Sequence, residues 1–535
     1  MNMKEKTHFR FLMVASVALV AGLGCPTVLF GASPVAVTPA TMPRVGTVSD
    51  RFQSFNIEML EVTGGRFWAP YKKDGGAQEG PKPAEKSSIP GMDPSMYSYR
   101  PPVDFADKRL RKLAEGLAPS YMRVSGTWAN STYFDDSDSP APEKAPAGFN
   151  GVLTRKQWKG VVDFSNATDA KLVTSFAVSA GVRDANGVWT PVEAKKFLAY
   201  TKEAGGSIAA AEMFNEPTFA SMGGAPKGYD AAAYGRDFRA FRAYVKEAAP
   251  GMLILGPGGV GEQGLVTGPM SKSILRTEDL LKAEGPGLDG FSYHFYGGVS
   301  ERCAKGMGVK MGTTPEAALT RDWLMRTDRD EAFYAGLRDQ YAPGVPMWLT
   351  ETGETACGGD PWAKDFIDSF RYLNQLGTLA KHGVQVVMHN TLNASDYGLV
   401  DETTLVPRPN YWAAILWRKM MGTTVLDAGD SAAPNLYLYA HCLRGEPGGV
   451  ALLAINADRT EEAELSVPEK SERYTLSGEL MSDTVNLNGK QLNVSVDWGL
   501  PKIQGKKQKA GSVKLAPASI TFLAIKDAGN GVCRQ

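Results

Sequence analysis

Two glutamates stand in settings that suit the chemistry of carboxyl groups working as a pair. One lies in Ala211-Glu212-Met213-Phe214-Asn215-Glu216-Pro217, the other in Met347-Trp348-Leu349-Thr350-Glu351-Thr352. Each follows a short apolar run of the kind that forms a buried parallel strand. An acid at the end of a barrel strand stands at the face where barrel enzymes do their chemistry. Two carboxyl groups about 5–5.5 Å apart can cleave a glycosidic bond with retention, one donating a proton while the other attacks carbon. The chain has 58 acidic residues, so glutamates after strands also arise by chance, and context has to decide. Asn215 precedes Glu216, and Pro217 stiffens the turn behind it. Seven residues beyond Glu351 comes Gly358-Gly359, whose bare amides a ligand can approach closely.

The elements that must hold these acids are legible as periodicity. Apolar runs at 52–57, 121–124, 172–178, 209–214, 253–255, 290–295, 347–350 and 384–388 alternate with helical patterns from about residue 51 to 414. In the helix expected at 234–246, Tyr234, Phe238, Phe241 and Val245 line one face; another helix is expected at 365–382. Eight strands alternating with helices predict an α/β fold, a (β/α)8 barrel, with Glu216 after strand four and Glu351 after strand seven. Beyond 415 the texture becomes short strands at 436–441, 450–455, 462–467, 492–498 and 520–525, separated by Gly, Asn, Asp and Pro. This predicts a C-terminal β-sandwich, to which 35–48 adds a strand. The expected layout is a signal segment at 1–32, an N-terminal sandwich strand within 33–50, the barrel at 51–414 and the sandwich at 415–535. Two irregular stretches interrupt it, 64–102 and 135–151. The first follows strand one on the active-site face, where so long a loop is expected to wall off one end of the cleft.

Composition bounds the function. Among 535 residues, Lys plus Arg and Asp plus Glu each number 58, so no bulk field favours nucleic acid or a membrane surface. Lys4, Lys6 and Arg10 precede an apolar run at 11–23 and then small residues, the layout of a secretory signal and too short to span a bilayer. Export to the periplasm or the extracellular space is expected; lipid anchoring at Cys25 is the lesser expectation, because position 22 is glycine rather than leucine. The other cysteines are Cys303, Cys357, Cys442 and Cys533, with no metal-ligand spacing, so no metal site is expected. An oxidising compartment favours two bridges among their three possible pairings. Gly256-Pro-Gly258-Gly259-Val-Gly261 matches a dinucleotide fingerprint in its letters, but Pro257 intrudes and no helix start follows; a glycine-lined barrel loop is the better reading. Lys502, Lys506, Lys507 and Lys509 read as a solvated loop. His294 and Tyr296, at the end of strand six, are expected in the site.

Several blocks resemble the heparanase and β-glucuronidase family, glycoside hydrolase family 79. They are Leu117-Ala-Pro-Ser-Tyr-Met-Arg123, Trp348-Leu-Thr-Glu351-Thr352, Val386-Val387-Met388, Asp396-Tyr397-Gly-Leu-Val-Asp401-Glu402 and Pro409-Asn-Tyr411-Trp412. The resemblance runs through about residues 50 to 533. It implies a barrel with a sandwich built from both chain ends, Glu216 as acid/base, Glu351 as nucleophile, Asn215 on the sugar 2-hydroxyl and Tyr296 orienting Glu351. Glu354 is the rival nucleophile, expected out in the loop. Gly358, Gly359 and Tyr397 would take the carboxylate of a glucuronide, charge-assisted bonds being the strong ones. This chain departs from the family at Asn56 and Glu58, where the family often has Asp and Asn, and at Ala356-Cys357, where it has a tyrosine. Asn56 and Glu58 remain candidate sugar contacts. Cys442 and Cys533 match a family disulfide, which leaves Cys303 to pair with Cys357.

The expected activity is retaining exo-β-glucuronidase action on a β-glucuronide-containing glycan, by a monomer and without cofactor. An endo-acting heparanase-like enzyme is the alternative, and a non-catalytic carbohydrate-binding relative comes third.

Overall fold

In chain order the strands begin with Val35–Ala36 (β1), Arg44–Thr47 (β2) and Gln53–Glu58 (β3). A ribbon of Gly65–Trp68 (β4) with Tyr97–Arg100 (β5) follows, then Ser120–Ser125 (β6) and the paired Thr132–Asp135 (β7) and Gly151–Thr154 (β8). Next come Ala170–Ser175 (β9), Ile208–Glu212 (β10), Leu253–Gly259 (β11), Gly290–Tyr296 (β12), Met347–Gly353 (β13) and Val386–His389 (β14). This computed structural model describes residues 34–71, 94–263, 274–307, 313–431 and 433–534. The expected signal segment at 1–32, Cys25 and part of the 64–102 stretch lie outside the described residues.

The eight predicted strands close into a barrel in the order β10-β11-β12-β13-β14-β3-β6-β9, every neighbouring pair parallel. Alternation along each strand sorts its side chains. Phe55, Ile57, Met122, Val124, Phe291, Tyr293 and Phe295 pack outward against the helices. Inward, Tyr121, Val173, Ala210, Leu255, Trp348, Val386 and Met388 form an apolar plug. One step further along the strands the inward positions turn polar, at Asn56, Arg123, Glu212 and His294, so the chemistry stands on a packed floor.

The helices are amphipathic for the same reason. In Ala231–Ala248, Asp230 caps the first turn by accepting the Ala233 N–H at 2.8 Å. Tyr234, Phe238, Phe241 and Val245 are buried as their spacing predicts, each such side chain contributing about 1.5–3 kcal/mol. The glycine-rich run at 256–261 spans the end of β11, and among the described residues no helix starts at Gly261, which counts against the dinucleotide reading.

The C-terminal part of the chain adds Met421–Leu426 (β15), Leu436–Leu443 (β16), Val450–Asn456 (β17), Ala463–Val467 (β18) and Ser471–Ser477 (β19). Asn486–Leu487 (β20), Lys490–Gln491 (β21), Lys506–Gln508 (β22), Gly511–Leu515 (β23) and Ser519–Ile525 (β24) complete it. One sheet runs β2-β15-β16-β17-β24-β19-β20-β21, with β22 beside β19; the other runs β1-β18-β23. The 35–48 segment thus supplies two strands, one to each sheet. The strand expected at 492–498 is irregular: Ser495 and Gly499 close a turn, and Trp498 has φ +63°. Leu492, Val494 and Trp498 pack against the core from a loop, while Val496 is fully exposed. Barrel and sandwich meet where Tyr439 lies flat on the helix Asp368–Lys381. Gly377 leaves room for that ring, and the tyrosine hydroxyl donates to Asn374 Oδ1 at 2.7 Å. Both expected disulfides are present, Cys303–Cys357 and Cys442–Cys533. Among the described residues no helix is long and apolar enough to cross a membrane.

Candidate active site

Arg123, on β6, is 1% exposed and organises the floor of the site. Its Nε and Nη2 donate to Glu212 Oε2 at 3.0 and 2.8 Å, Nη2 also to Asn215 Oδ1 at 2.8 Å, and Nη1 to Glu351 Oε2 at 2.8 Å. Burial penalises the guanidinium, but Glu212 and Glu351 outweigh that and raise its pKa. Burial likewise opposes charge on Glu212, yet Arg123, His294 and a 2.7 Å bond from Thr350 Oγ1 hold it well below the usual carboxylate range. A buried ion pair of this kind costs about 3–5 kcal/mol to break from one side.

Glu351 reaches the same cluster through an irregularity in its strand. The β12–β13 register passes from Tyr293↔Leu349 to His294↔Glu351, so Thr350 is an extra residue, a bulge. Thr350 and Glu351 therefore both point inward, which regular alternation forbids. From β3, one strand removed from β13, Asn56 Nδ2 donates to the Thr350 carbonyl at 3.1 Å. Asn56, expected on the sugar, thus has its amide committed to supporting the bulge. Strand seven runs on to Gly353, so Glu351 lies within it rather than behind it. The second Glu351 oxygen accepts the Tyr296 hydroxyl at 2.7 Å.

Glu216 occupies a left-handed position, φ +49°, at the turn after β10. Asn130 clamps the preceding residue, accepting the Asn215 N–H at 2.8 Å and donating to its carbonyl at 2.9 Å. Glu216 Oε1 lies 3.2 Å from His294 Nδ1. Burial raises the Glu216 pKa; the His294 hydrogen bond pulls it down, and the Glu351 charge adds to the rise. Burial pushes the His294 pKa down, but Glu351, Glu212 and Glu216 overcome this and raise it to about 9. Arg123 Nη2 lies 3.3 Å from His294 Nε2, a contact that a protonated ring would oppose. That nitrogen has better acceptors in Glu212 and Asn215 at 2.8 Å, and the three carboxylates around the ring favour its imidazolium state.

Across Glu351 stands a second group. Asn390 Nδ2 contacts Glu58 Oε1 at 3.1 Å, Tyr296 Oη at 3.1 Å and Tyr397 Oη at 3.0 Å. Tyr296 and Tyr397 are stacked, ring centroids 6.5 Å apart. Burial, then the Glu351 charge, push Glu58 well above the usual carboxylate range. Gly358 and Gly359 are buried with φ +85° and +83°. A Cβ would come within 2.9 Å of Trp68 at the first, and within 2.9 Å of Ala363 and 3.2 Å of the Tyr397 nitrogen at the second. Among the described residues neither glycine N–H has an acceptor.

All the predicted site residues therefore lie at the C-terminal end of the barrel. Glu354 does not join them: its buried carboxylate accepts the Asp360 N–H at 2.9 Å and the Thr355 hydroxyl at 2.8 Å, rather than lying in an open loop. Sequence reasoning missed Arg123, Glu212, Thr350, Asn130 and Asn390 as parts of the site. Arg123 and Glu212 did carry a signal, a charge at an inward position of a buried strand, which requires a partner. Glu216, His294 and Glu351 each offer a ligand atom within 4.8 Å of the others. A divalent cation there would have to share the cluster with the Arg123 guanidinium, and like charges at such range repel strongly.

Residues 102–298 match the family model described as Glycosyl hydrolase family 79, N-terminal domain. The chain is 25% identical over 508 residues to Heparanase-like protein 1 of Arabidopsis thaliana, covering 82% of this chain and 88% of that one. It is 26% identical over 486 residues to Hyaluronoglucuronidase of Hirudo nipponia, covering 81% and 92%. To Heparanase of Mus musculus it is 27% identical over 487 residues, covering 79% and 87%. In fold it is similar to a thermostable family 51 α-L-arabinofuranosidase from Thermotoga petrophila RKU-1, with TM-score 0.62 and 14% identity, covering 92% and 99%.

Proposed function

The chain belongs to glycoside hydrolase family 79, and from that premise we propose that it is a retaining exo-β-glucuronidase. It removes terminal β-linked glucuronic acid from glycans or glycoconjugates. The observation that carries the reading is the catalytic pair itself. Glu351 is held by Arg123 and Tyr296 with one oxygen on each, and an oxygen of Glu216 lies within 4.8 Å of it. That spacing supports retention, which calls for carboxyl groups about 5–5.5 Å apart.

Glu351 attacks the anomeric carbon while Glu216, its pKa raised, protonates the leaving oxygen. Glu216 then takes a proton from water, which hydrolyses the glycosyl-enzyme. His294 faces Glu216 and stabilises the carboxylate it becomes after the first transfer. Asn215 meets the sugar 2-hydroxyl. The Gly358 and Gly359 amides and the Tyr397 hydroxyl receive the uronate carboxylate, and Glu58 meets a ring hydroxyl. The β4–β5 ribbon, with Trp68 against Gly358, closes that end of the site and supports a pocket for a chain end. The enzyme works as an exported monomer; two disulfides suit an oxidising compartment.

Endo-acting cleavage is the second reading, favoured by relatives named heparanase and hyaluronoglucuronidase. Product analysis on a chromogenic β-glucuronide beside a long heparan-type chain, with Glu351→Gln as blank, separates the two. Chromogen release with the polymer unshortened is expected. Rapid shortening with little chromogen moves the assignment to endo action, and silence on both removes the uronide reading.

A further inference from the structure

The two glycine amides sit on a segment that four consecutive residues hold from one side. Ser300 N–H donates to the Ala356 carbonyl at 3.1 Å, and its hydroxyl to the Cys357 carbonyl at 3.2 Å. Glu301 N–H donates to Asp360 Oδ1 at 2.7 Å. Arg302 Nη2 donates to Asp396 Oδ2 at 2.7 Å, and the Asp396 N–H in turn donates to the Gly358 carbonyl at 3.0 Å. Cys303, fully buried, is bonded through sulfur to Cys357, the residue directly before Gly358. Arg302 Nη1 also takes the Ala69 carbonyl at 2.7 Å, tying in the ribbon that carries Trp68. Residues 356 to 360 are thus gripped at both ends and at the middle carbonyl, while the N–H groups of Gly358 and Gly359 are left without an acceptor among the described residues.

A buried N–H without a partner is costly, and two side by side in a fixed backbone fit the two oxygens of a planar anion. Donors held in place before binding gain affinity by lowering the ordering cost. We propose that the 300–303 segment is a specificity clasp: it holds the Gly358 and Gly359 amides for a hexuronate carboxylate and so sets the preference for glucuronide over glucoside. This rests on the glucuronidase reading above. Ser300, Arg302 and Cys303 act as positioning residues, through the Gly358–Gly359 backbone, without touching the reacting atoms.

The test compares kcat and KM for an aryl β-glucuronide and the aryl β-glucoside with the same leaving group. The variants are the Cys303→Ser/Cys357→Ser double substitution, Arg302→Lys and the milder Ser300→Ala, with folding monitored by thermal melting. The glucuronide-to-glucoside ratio of kcat/KM should fall about 10–100-fold in the first two, mainly through glucuronide KM, with the glucoside rate unchanged. Ser300→Ala should shift the ratio in the same direction by less, which keeps the test decisive if the double variant does not fold. If folded variants lose both activities in proportion, or keep the wild-type ratio, the clasp is structural only and the proposal falls while the glucuronidase reading stands. A wild-type enzyme showing no preference for the glucuronide would instead overturn that reading, and the clasp with it.

Discussion

The wall built by β6, β10 and β12 and the wall built by β3, β14 and the loop after β13 face each other across Glu351, and the polar side chains next to that carboxylate differ in how they are satisfied, although Ser292 Oγ, deeper on β12, is also unpartnered. On the first wall Arg123, Glu212, Asn215 and His294 bond to one another and to Glu351 and Glu216. On the second, Glu58 Oε2 and Asn390 Oδ1 are buried without a partner, as is Asn56 Oδ1 beneath them. The two glycine amides add donors of the same kind. Groups that satisfy each other make a rigid electrostatic setting that tunes reacting groups. Unpartnered buried groups cost stability in the free protein and are of use only when a ligand completes them. Under the proposed function the first wall would be the catalytic one and the second the binding one, and kinetics can separate them.

The largest effect belongs to the residue the walls share. With Glu351 as the proposed nucleophile, Glu351→Gln should lower kcat on an aryl β-glucuronide by more than about 10⁴-fold, because the attacking carboxylate is lost. Glu216→Gln should cost about 10²–10⁴-fold with a poor leaving group and far less with a good one, which needs no proton. Asn390→Ala, on the binding wall, should raise glucuronide KM by about 10-fold or more and change kcat less. Steady-state kinetics on one series of aryl glucuronides reads all three. A kcat effect confined to Asn390→Ala, or a KM effect confined to Glu216→Gln, would break the division.

The pH dependence sharpens it. As the proposed general acid Glu216 must be protonated, so kcat/KM should fall as pH rises through its raised pKa. The His294 bond lowers that pKa, so His294→Gln should move the basic limb to higher pH. Stability carries its own signature. The His294 pKa is raised from 6.5 to about 9, so the folded state holds a proton that the unfolded state loses first. Its contribution, a few kcal/mol at most, is fully present below pH 6.5 and is lost as pH climbs toward 9. Denaturant melts of wild type and His294→Gln across that range should converge at the alkaline end. Parallel curves would mean that His294 is neutral in the folded protein.

How much of this was legible beforehand depends on the range of the interaction. The barrel strands could be read because their outward faces are uniformly apolar, as Phe291, Tyr293 and Phe295 are on β12. Glu216 could be singled out because Asn215 and Pro217 mark the turn after its strand, and Glu351 because an acid in an apolar run stands out, although its strand runs on to Gly353. Arg123 could not be read as the hub, since its partners lie 89 and 228 positions away. Nor does the bulge at Thr350 leave a compositional trace, because one extra residue in an apolar strand looks like any other until register is known. The irregular 492–498 stretch shows the converse: its Leu492, Val494 and Val496 alternate like a strand, but Trp498 in a left-handed conformation and the Ser495–Gly499 turn hold it as a loop. The wiring of the binding wall, where Asn390 joins Glu58 to Tyr397 and across to Tyr296 of β12, is long-range in the same way.

The smallest effect on activity should come from the other disulfide, which shares its chemistry with the clasp but touches neither wall. Cys442–Cys533 ties β16 to the C-terminal turn across a sequence separation of 91. That turn carries Asn530, whose side-chain amide donates to the Pro39 and Met42 carbonyls at 2.8 and 3.0 Å, so the bridge secures both ends of the chain. Cys442→Ser/Cys533→Ser should lower stability by about 2–5 kcal/mol, mostly by freeing the unfolded chain, and show as a lower Tm. Below the new Tm, kcat/KM for the glucuronide and its ratio to the glucoside should stay within about twofold of wild type, since no residue of either wall loses a contact. The contrast with Cys303→Ser/Cys357→Ser is the point of the measurement: one pair should move Tm alone, the other the substrate ratio. A changed ratio in the Cys442 and Cys533 variant would mean that the Tyr439–Asn374 joint transmits sandwich motion into the barrel, and that the two walls are not the whole of the specificity apparatus.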